Sequence, residues 1–246
     1  MASAPRELDR PAFYALRGGG WRDLVTLLHP PYTAWHLSYV ALGAAAAPHI
    51  YANRLAAALA AFFLAVGVSA HALDELNGRP LQTKLSSTTL VALATVSLLG
   101  AVVIGVVGIV VVSPLLAPLV LAGALLVPVY NLELGGGRFH NDIGFALAWG
   151  GFPAFVGYFV NALTVRPSGL LVVAACSLLS AAQRRLSTPV RSLRRNTTKV
   201  TGQQWLRNGE VRELTRASLS EPLEGALRAI WIALVLLAVG MVAMHG

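Results

Sequence analysis

Apolar residues in this chain run in long blocks that charge never interrupts. No Asp, Glu, Lys or Arg occurs in 55–73, 85–132, 143–165, 167–183 or 229–246, and 32–50 is equally free of charge. A helix rises about 1.5 Å per residue and a bilayer core is about 30 Å thick, so roughly 20 apolar residues make one crossing. The block 85–132 is long enough for two. The pattern predicts seven membrane-spanning helices, near 32–50, 55–73, 88–110, 114–131, 142–163, 167–182 and 227–245. Pro48, Pro114 and Pro167 fall near these boundaries, and Asn53, Gly78 and the glycines 135–137 supply turn chemistry between them. Pro128 and Pro153 fall inside spans and predict kinks. The fold class that follows is all-α, a polytopic membrane helix bundle of about seven transmembrane helices, with 1–246 as a single integral membrane domain.

Composition agrees with this pattern. Only 12% of the 246 residues are charged and 56% are hydrophobic, where a soluble domain carries about 25% charged residues. The start, MASAPRELDRP, stays polar or Gly-rich to Arg22 and lacks the apolar core of a cleaved signal peptide, so the first span is expected to be retained. Cys176, the single cysteine, lies in an apolar stretch and excludes a disulfide framework or a cysteine-based metal site.

Charge adds orientation. Arg6, Arg10, Arg17 and Arg22 precede the first span, Arg79 and Lys84 lie between the second and third, and Arg138 lies between the fourth and fifth. Ten more, from Arg184 to Arg228, lie between the sixth and seventh, while only Arg54 and Arg166 fall in the opposite loops. Positive loops stay cytoplasmic, so the chain is expected to be multi-pass in the cytoplasmic (inner) membrane, N-terminus inside and C-terminus outside. The net charge of +8 then describes one face, suited to anionic lipids, and requires no nucleic acid. The polar block 183–226 places Trp205, Leu206, Val211, Leu214, Leu219 and Leu223 among charges. It reads as an interfacial amphipathic helix or as a polar cytoplasmic loop, and as the place for a protein partner.

Ionisable groups at span ends are the candidates for chemistry, because polar groups at membrane depth are costly. The first cluster, VSAHALDELNGRPLQTKLSS, closes the second span. If the helix continues, His71 lies at i,i+3 and i,i+4 from Asp74 and Glu75 and can meet one carboxylate, making a metal or phosphate–metal site. Otherwise the helix finishes at Asn77 or Gly78, with His71 bonded to a carbonyl. In the second, VPVYNLELGGGRFHNDIGFALAWGGFPAFVGYF, Asn141 or Asp142 caps the fifth span, leaving Glu133, Arg138 and His140 in a Gly-rich loop. Three glycines let backbone N–H groups approach an anion beside Arg138, or simply make a turn. The loop lacks the Lys and Ser/Thr of a P-loop, which speaks against nucleotide binding.

The order of these features resembles the UbiA superfamily of intramembrane prenyltransferases. Members close the second span with Asn-Asp-x-x-Asp-x-x-x-Asp, followed by Arg-Pro-Leu-x-x-Gly. Here Asp74 matches the second aspartate, while His71 and Gly78 stand where the first and third would be. Arg79, Pro80 and Leu81 match Arg-Pro-Leu, and Tyr130 with 141–157 resembles the family's fourth loop and fifth helix. The second acidic motif is missing: SAAQRRLSTPVRSLRR follows the sixth span, with no carboxylate between Asp142 and Glu210.

The resemblance implies a UbiA-like bundle that opens to lipid and moves a prenyl group from a prenyl diphosphate to a lipid-phase or aromatic acceptor. Mg²⁺ held by Asp74 and Glu75 would be the cofactor, and His71, Asp74 and Glu75 the catalytic set. Arg79, Lys84, Tyr130, Asn131, Arg138, Arg184, Arg185 and Arg191 would receive the diphosphate, since guanidinium forks match phosphate oxygens. Two alternatives stand beside it: a non-catalytic UbiA-like membrane subunit or isoprenoid-binding protein, and a membrane terpene cyclase that needs no acceptor.

Overall fold

A backbone inside a bilayer has no water to bond, so each apolar block must satisfy its own N–H and C=O groups, and it does so as helix. The computed structural model describes residues 10–16 and 18–245; Arg6 and Arg17 lie outside the described residues. Two shorter helices come first, α1 (Trp21–Leu27) and α2 (Pro30–Ala45). Six helices long and apolar enough to cross a membrane follow: α3 (Ala52–Leu76), α4 (Ser87–Val111), α5 (Pro114–Asn131), α6 (Asp142–Ala162), α7 (Pro167–Arg195) and α8 (Arg216–Ala243). The chain is therefore a multi-pass helical membrane protein. Its outer surface is as apolar as its interior: Val96, Val103 and Val110 on α4, Leu171 and Leu178 on α7, and Leu236 and Val239 on α8 are all exposed.

The expected first span, 32–50, is shortened. Helix α2 ends at Ala45, because Pro48 disfavours helical backbone at the residue before it and residues 46–50 turn instead. Its 16 residues reach about 24 Å, less than a bilayer core. It is the central post of the bundle, with Trp35, Tyr39, Val40 and Ala44 fully buried. Glycines set its contact with α6. A Cβ on Gly43 would overlap the carbonyl of Ala154, and one on Gly157 would overlap the carbonyl of Val40, so the two backbones touch.

Two helices carry a wider turn. Phe63–Ala70 of α3 and Leu147–Gly151 of α6 are π-helical. In α6 the wide turn leads into Pro153, which lacks the N–H that a regular ladder needs. Side chains cover the carbonyls of both segments: His71 Nδ1–H donates to Gly67 O (3.1 Å) and His36 Nδ1–H to Trp149 O (2.8 Å).

The polar block 183–226 forms neither a continuous interfacial helix nor a plain loop. Helix α7 runs on to Arg195, so its arginines stand on a rigid stem. A short antiparallel hairpin follows, β1 (Gln203–Trp205) and β2 (Val211–Glu213), turned through Gly209 at φ 84°. Thr215 then starts α8 with a capping box to Ser218. Trp205 and Val211 are exposed on this hairpin rather than on a helix face.

Hydrogen bonds gather the connections into two ends. At one end Asn77 Nδ2 donates to Asn131 O, Arg184 reaches Asp142, and Arg194 and Arg195 reach the carbonyls of Arg10 and Pro11. At the other, Tyr51 N donates to Asn161 Oδ1 and Arg54 to Val160 O. Arg54 and Arg166 thus sit away from the other described basic residues.

Candidate anion site and its apolar groove

A polar cavity of about 320 Å³ opens at the arginine-rich end. The polar stem of α7 lines one wall with Gln183, Arg184, Ser187, Arg191, Arg194 and Arg195. The end of α3 supplies His71, Asp74 and Asn77, and α5 supplies Tyr130 and Asn131. Tyr14, His29, Tyr32 and His36 close the remaining side. The two spans that carry the sequence's acidic and arginine clusters are thereby brought face to face.

The arginines differ in what already holds them. Arg194 is buried in a bidentate pair with Glu224, and Arg184 Nε donates to Asp142 Oδ1 at 2.7 Å while its Nη1 donates to the Tyr130 hydroxyl at 3.0 Å. Among the described residues, Arg191 and Arg195 meet only neutral acceptors, the Thr188 hydroxyl and the Pro11 carbonyl. Asp74 and Glu133 are the carboxylates in the lining, and Glu133 lies 3.7 Å from His140. The lining thus holds four arginines, two of them already paired with Asp142 and Glu224, against the carboxylates of Asp74 and Glu133, and guanidinium forks match phosphate oxygens in geometry.

The placement of the expected residues divides them. His71, Asp74, Tyr130, Asn131, Arg184 and Arg191 line this one cavity. Glu75 does not. It is fully buried on the other face of α3, where its oxygens accept from Leu81 N, Thr83 N and the Thr83 hydroxyl at 2.8–2.9 Å, shaping the 77–86 loop. Arg79 donates to Leu85 O and Ser87 Oγ, and lines an adjoining recess that shares Gly78, Pro80, Arg191 and Arg195 with the main cavity. Lys84, Arg138 and Arg185 are exposed and line no part of the cavity. The glycines 135–137 all have positive φ and make a turn, and Asn141 rather than Asp142 caps α6. His71 bonds to a backbone carbonyl rather than to either carboxylate.

Mg²⁺ fares correspondingly. With Glu75 committed to the loop, Asp74 is the carboxylate left of the expected pair, and the described residues contain no group of three His, Cys, Asp or Glu able to hold a metal ion. The donor set does not fit a pair of bridging Mg²⁺ ions.

Tyr14, His29, Tyr32, His36, Gln183 and Arg195 escaped the sequence reading. His29 stands at a span end, just before Pro30 and Pro31, and so bore the same signal as His71. Tyr14 bore none, because its place depends on how the amino-terminal segment folds back. Its hydroxyl is 2.7 Å from His29 Nδ1, and the His29 ring stacks on His71 with centroids 4.0 Å apart. Burial raises the Tyr14 phenol well above its usual range. Burial first, then the neighbouring His71, Arg195 and Arg191, lowers the His29 imidazole well below its usual range, so it is neutral at pH 7.

A second, apolar groove of about 150 Å³ runs between α3, α4, α5 and α6. Ala57, Ala58, Ala61, Ala101, Gly105 and Gly123 leave it room, and it extends from Val66 to Arg54 along α3 and from Ala148 to Val160 along α6. Each of those stretches is thirteen residues, twelve helical steps or about 18 Å. Val66 and Trp149 line both the groove and the polar cavity, and both belong to π-helical turns. No protein-family model, curated protein or solved structure matches this chain.

Proposed function

We propose that this protein takes a prenyl diphosphate from the membrane and transfers its prenyl group to a lipid-phase or aromatic acceptor, as a divergent relative of the UbiA-like prenyltransferases. The observation that carries the reading is the meeting of an arginine-lined polar cavity with an 18 Å apolar groove at Val66 and Trp149. That shape suits an amphiphile with an anionic head and a linear apolar tail. Arg191 and Arg195 receive the diphosphate, Arg184 supports it from the Tyr130 side, and the tail lies along the groove. The reacting carbon then sits near Trp149. Its bond to the diphosphate oxygen breaks, the electron pair leaves with the diphosphate, and the carbon bonds to the acceptor. The acceptor's proton passes to the departing diphosphate, whose oxygen has gained the electron pair of the broken bond, and His71 Nε2 lines the cavity as a neutral acceptor because its Nδ1–H is engaged with Gly67. In the membrane the arginine-rich end faces the cytoplasm, and α2, shorter than a bilayer core and buried among the other helices, carries the chain from that end to the start of α3 at the other.

A second reading, isoprenoid binding without transfer, draws on Glu75, whose role in the loop leaves Asp74 alone in the expected acidic motif. Titrating the purified chain with prenyl diphosphates of several tail lengths, in EDTA and in Mg²⁺, tests the shared part. Binding is expected to survive chelation, to weaken as salt screens the head, and to fall about 10-fold or more in Arg191→Ala or Arg195→Ala, the scale of a lost hydrogen bond to a charged group. Binding that needs Mg²⁺ and Asp74 overturns the arginine-held head. No binding under either condition overturns the reading. Release of diphosphate on adding an acceptor separates transfer from binding.

A further inference from the structure

His29 is the least expected part of the cavity wall. It sits in the left-handed region, φ 46° and ψ 58°, at the junction between α1 and α2. Pro30 and Pro31 follow and make the start of α2 stiff, so the ring is held by a backbone with little freedom. Its residue is only 8% exposed, and its Nε2 has no hydrogen-bond partner although the atom is buried. An unpaired buried polar nitrogen is costly and calls for an explanation.

The tautomer follows from the partners. Tyr14 has no other hydrogen-bond partner among the described residues, so its hydroxyl proton is satisfied only by donation to His29 Nδ1. A neutral imidazole that accepts at Nδ1 carries its proton on Nε2. His71, stacked against it, is the reverse: its Nδ1–H donates to Gly67 O, which leaves Nε2 as the acceptor. The stacked pair therefore brings one donor and one acceptor to the cavity. The lowered basicity of His29 agrees with a neutral ring beside Arg191 and Arg195.

We infer that His29 is an anion-binding residue: its Nε2–H, fixed by Tyr14, donates to a phosphate oxygen held by Arg191 and Arg195. A neutral donor suits this place, since a third cation there would repel the two arginines, while an N–H completes the coordination of an oxygen they leave unfilled. The inference rests on the anionic head of the proposed substrate and not on its prenyl tail.

The test uses the full-length chain in detergent or nanodiscs, with inorganic pyrophosphate and a prenyl diphosphate as probes. His29→Ala is expected to weaken both probes about 10-fold, the scale of one charge-assisted hydrogen bond. His29→Gln, whose amide places an N–H near the position of Nε2, is expected to stay within about 3-fold of wild type by the same scale. Tyr14→Phe, which frees the tautomer, should fall between them. Imidazole nitrogen shifts in the ligand-free wild type should show a neutral His29 protonated on Nε2. Should His29→Ala fail to fold, the nitrogen spectrum and the Tyr14→Phe affinity decide the matter. Unchanged affinity in His29→Ala, or a proton on Nδ1, overturns the inference and leaves the proposed function standing. Wild-type binding of pyrophosphate with no gain from a tail, weakened in His29→Ala, does the reverse. Binding of neither probe overturns both.

Discussion

Two adjacent acids on α3 show how one residue's difference in position separates structure from chemistry. Asp74 and Glu75 are about 100° apart around a helix, so they cannot both face the cavity. Asp74 faces it, while Glu75 turns inward and organises Leu81 and Thr83. Glu75→Ala leaves three buried donors without an acceptor, each costing about 1–3 kcal/mol if it stays dry. The expected result is a lower unfolding temperature, with pyrophosphate affinity of the folded protein changed by less than about 3-fold, since no contact to the anion is lost. Thermal denaturation and titration on one preparation check both halves. A metal ligand would behave the other way, keeping stability and losing Mg²⁺-dependent affinity. His71, Asp74, Tyr130, Asn131, Arg184 and Arg191 could be read from the sequence because each is polar at the end of an apolar block. Arg79, Lys84, Arg138 and Arg185 carry the same mark and lie elsewhere, because a span end fixes depth and leaves azimuth to packing.

Helix existence was written in composition, since a bilayer leaves an apolar block no other way to satisfy its backbone. Finer features were not. The π-helical turns in α3 and α6 answer to contacts from other helices: Thr33 Cγ2 would lie 2.9 Å from a Cβ on Gly67, and His36 covers the Trp149 carbonyl. The continuation of α7 to Arg195 was equally hidden, because arginine is a good helix former and nothing but solubility ends the span at 182. The contact of α2 with α6 gives the test at this scale. Gly157→Ala puts a methyl into the Val40 carbonyl and forces the two helices apart, with an expected loss of about 1–3 kcal/mol, typical of overpacking. Gly240→Ala on α8 meets nothing within 4 Å and is expected to leave stability unchanged or raise it by up to about 1 kcal/mol through helix propensity. Unfolding curves of the two variants against wild type check the contrast. Equal effects would mean that the α2–α6 contact is not the close one described.

At the scale of the whole molecule, the division of charge and the division of bonds coincide. The arginine-rich end carries the cavity, the hairpin and the amino-terminal segment, and the opposite end carries Arg54 and Arg166. The proposed substrate, with an anionic head reached from the cytoplasm and a tail in the bilayer, would require the first end to face the cytoplasm, which is also where positive loops are retained. Replacing Cys176 by Ala gives a background without cysteine, into which single cysteines can be placed at the exposed positions Asn53, Arg166, Lys199 and Arg207. A membrane-impermeant maleimide is expected to label Asn53→Cys and Arg166→Cys in intact cells, and Lys199→Cys and Arg207→Cys only after the membrane is opened. Labelling of Lys199→Cys in intact cells would place the cavity outside, beyond the reach of a cytoplasmic diphosphate. Asn53 and Lys199 are separated by the five helices α3 to α7, an odd number of crossings that must put them on opposite sides, so labelling of both from one side would mean that one of these five does not cross.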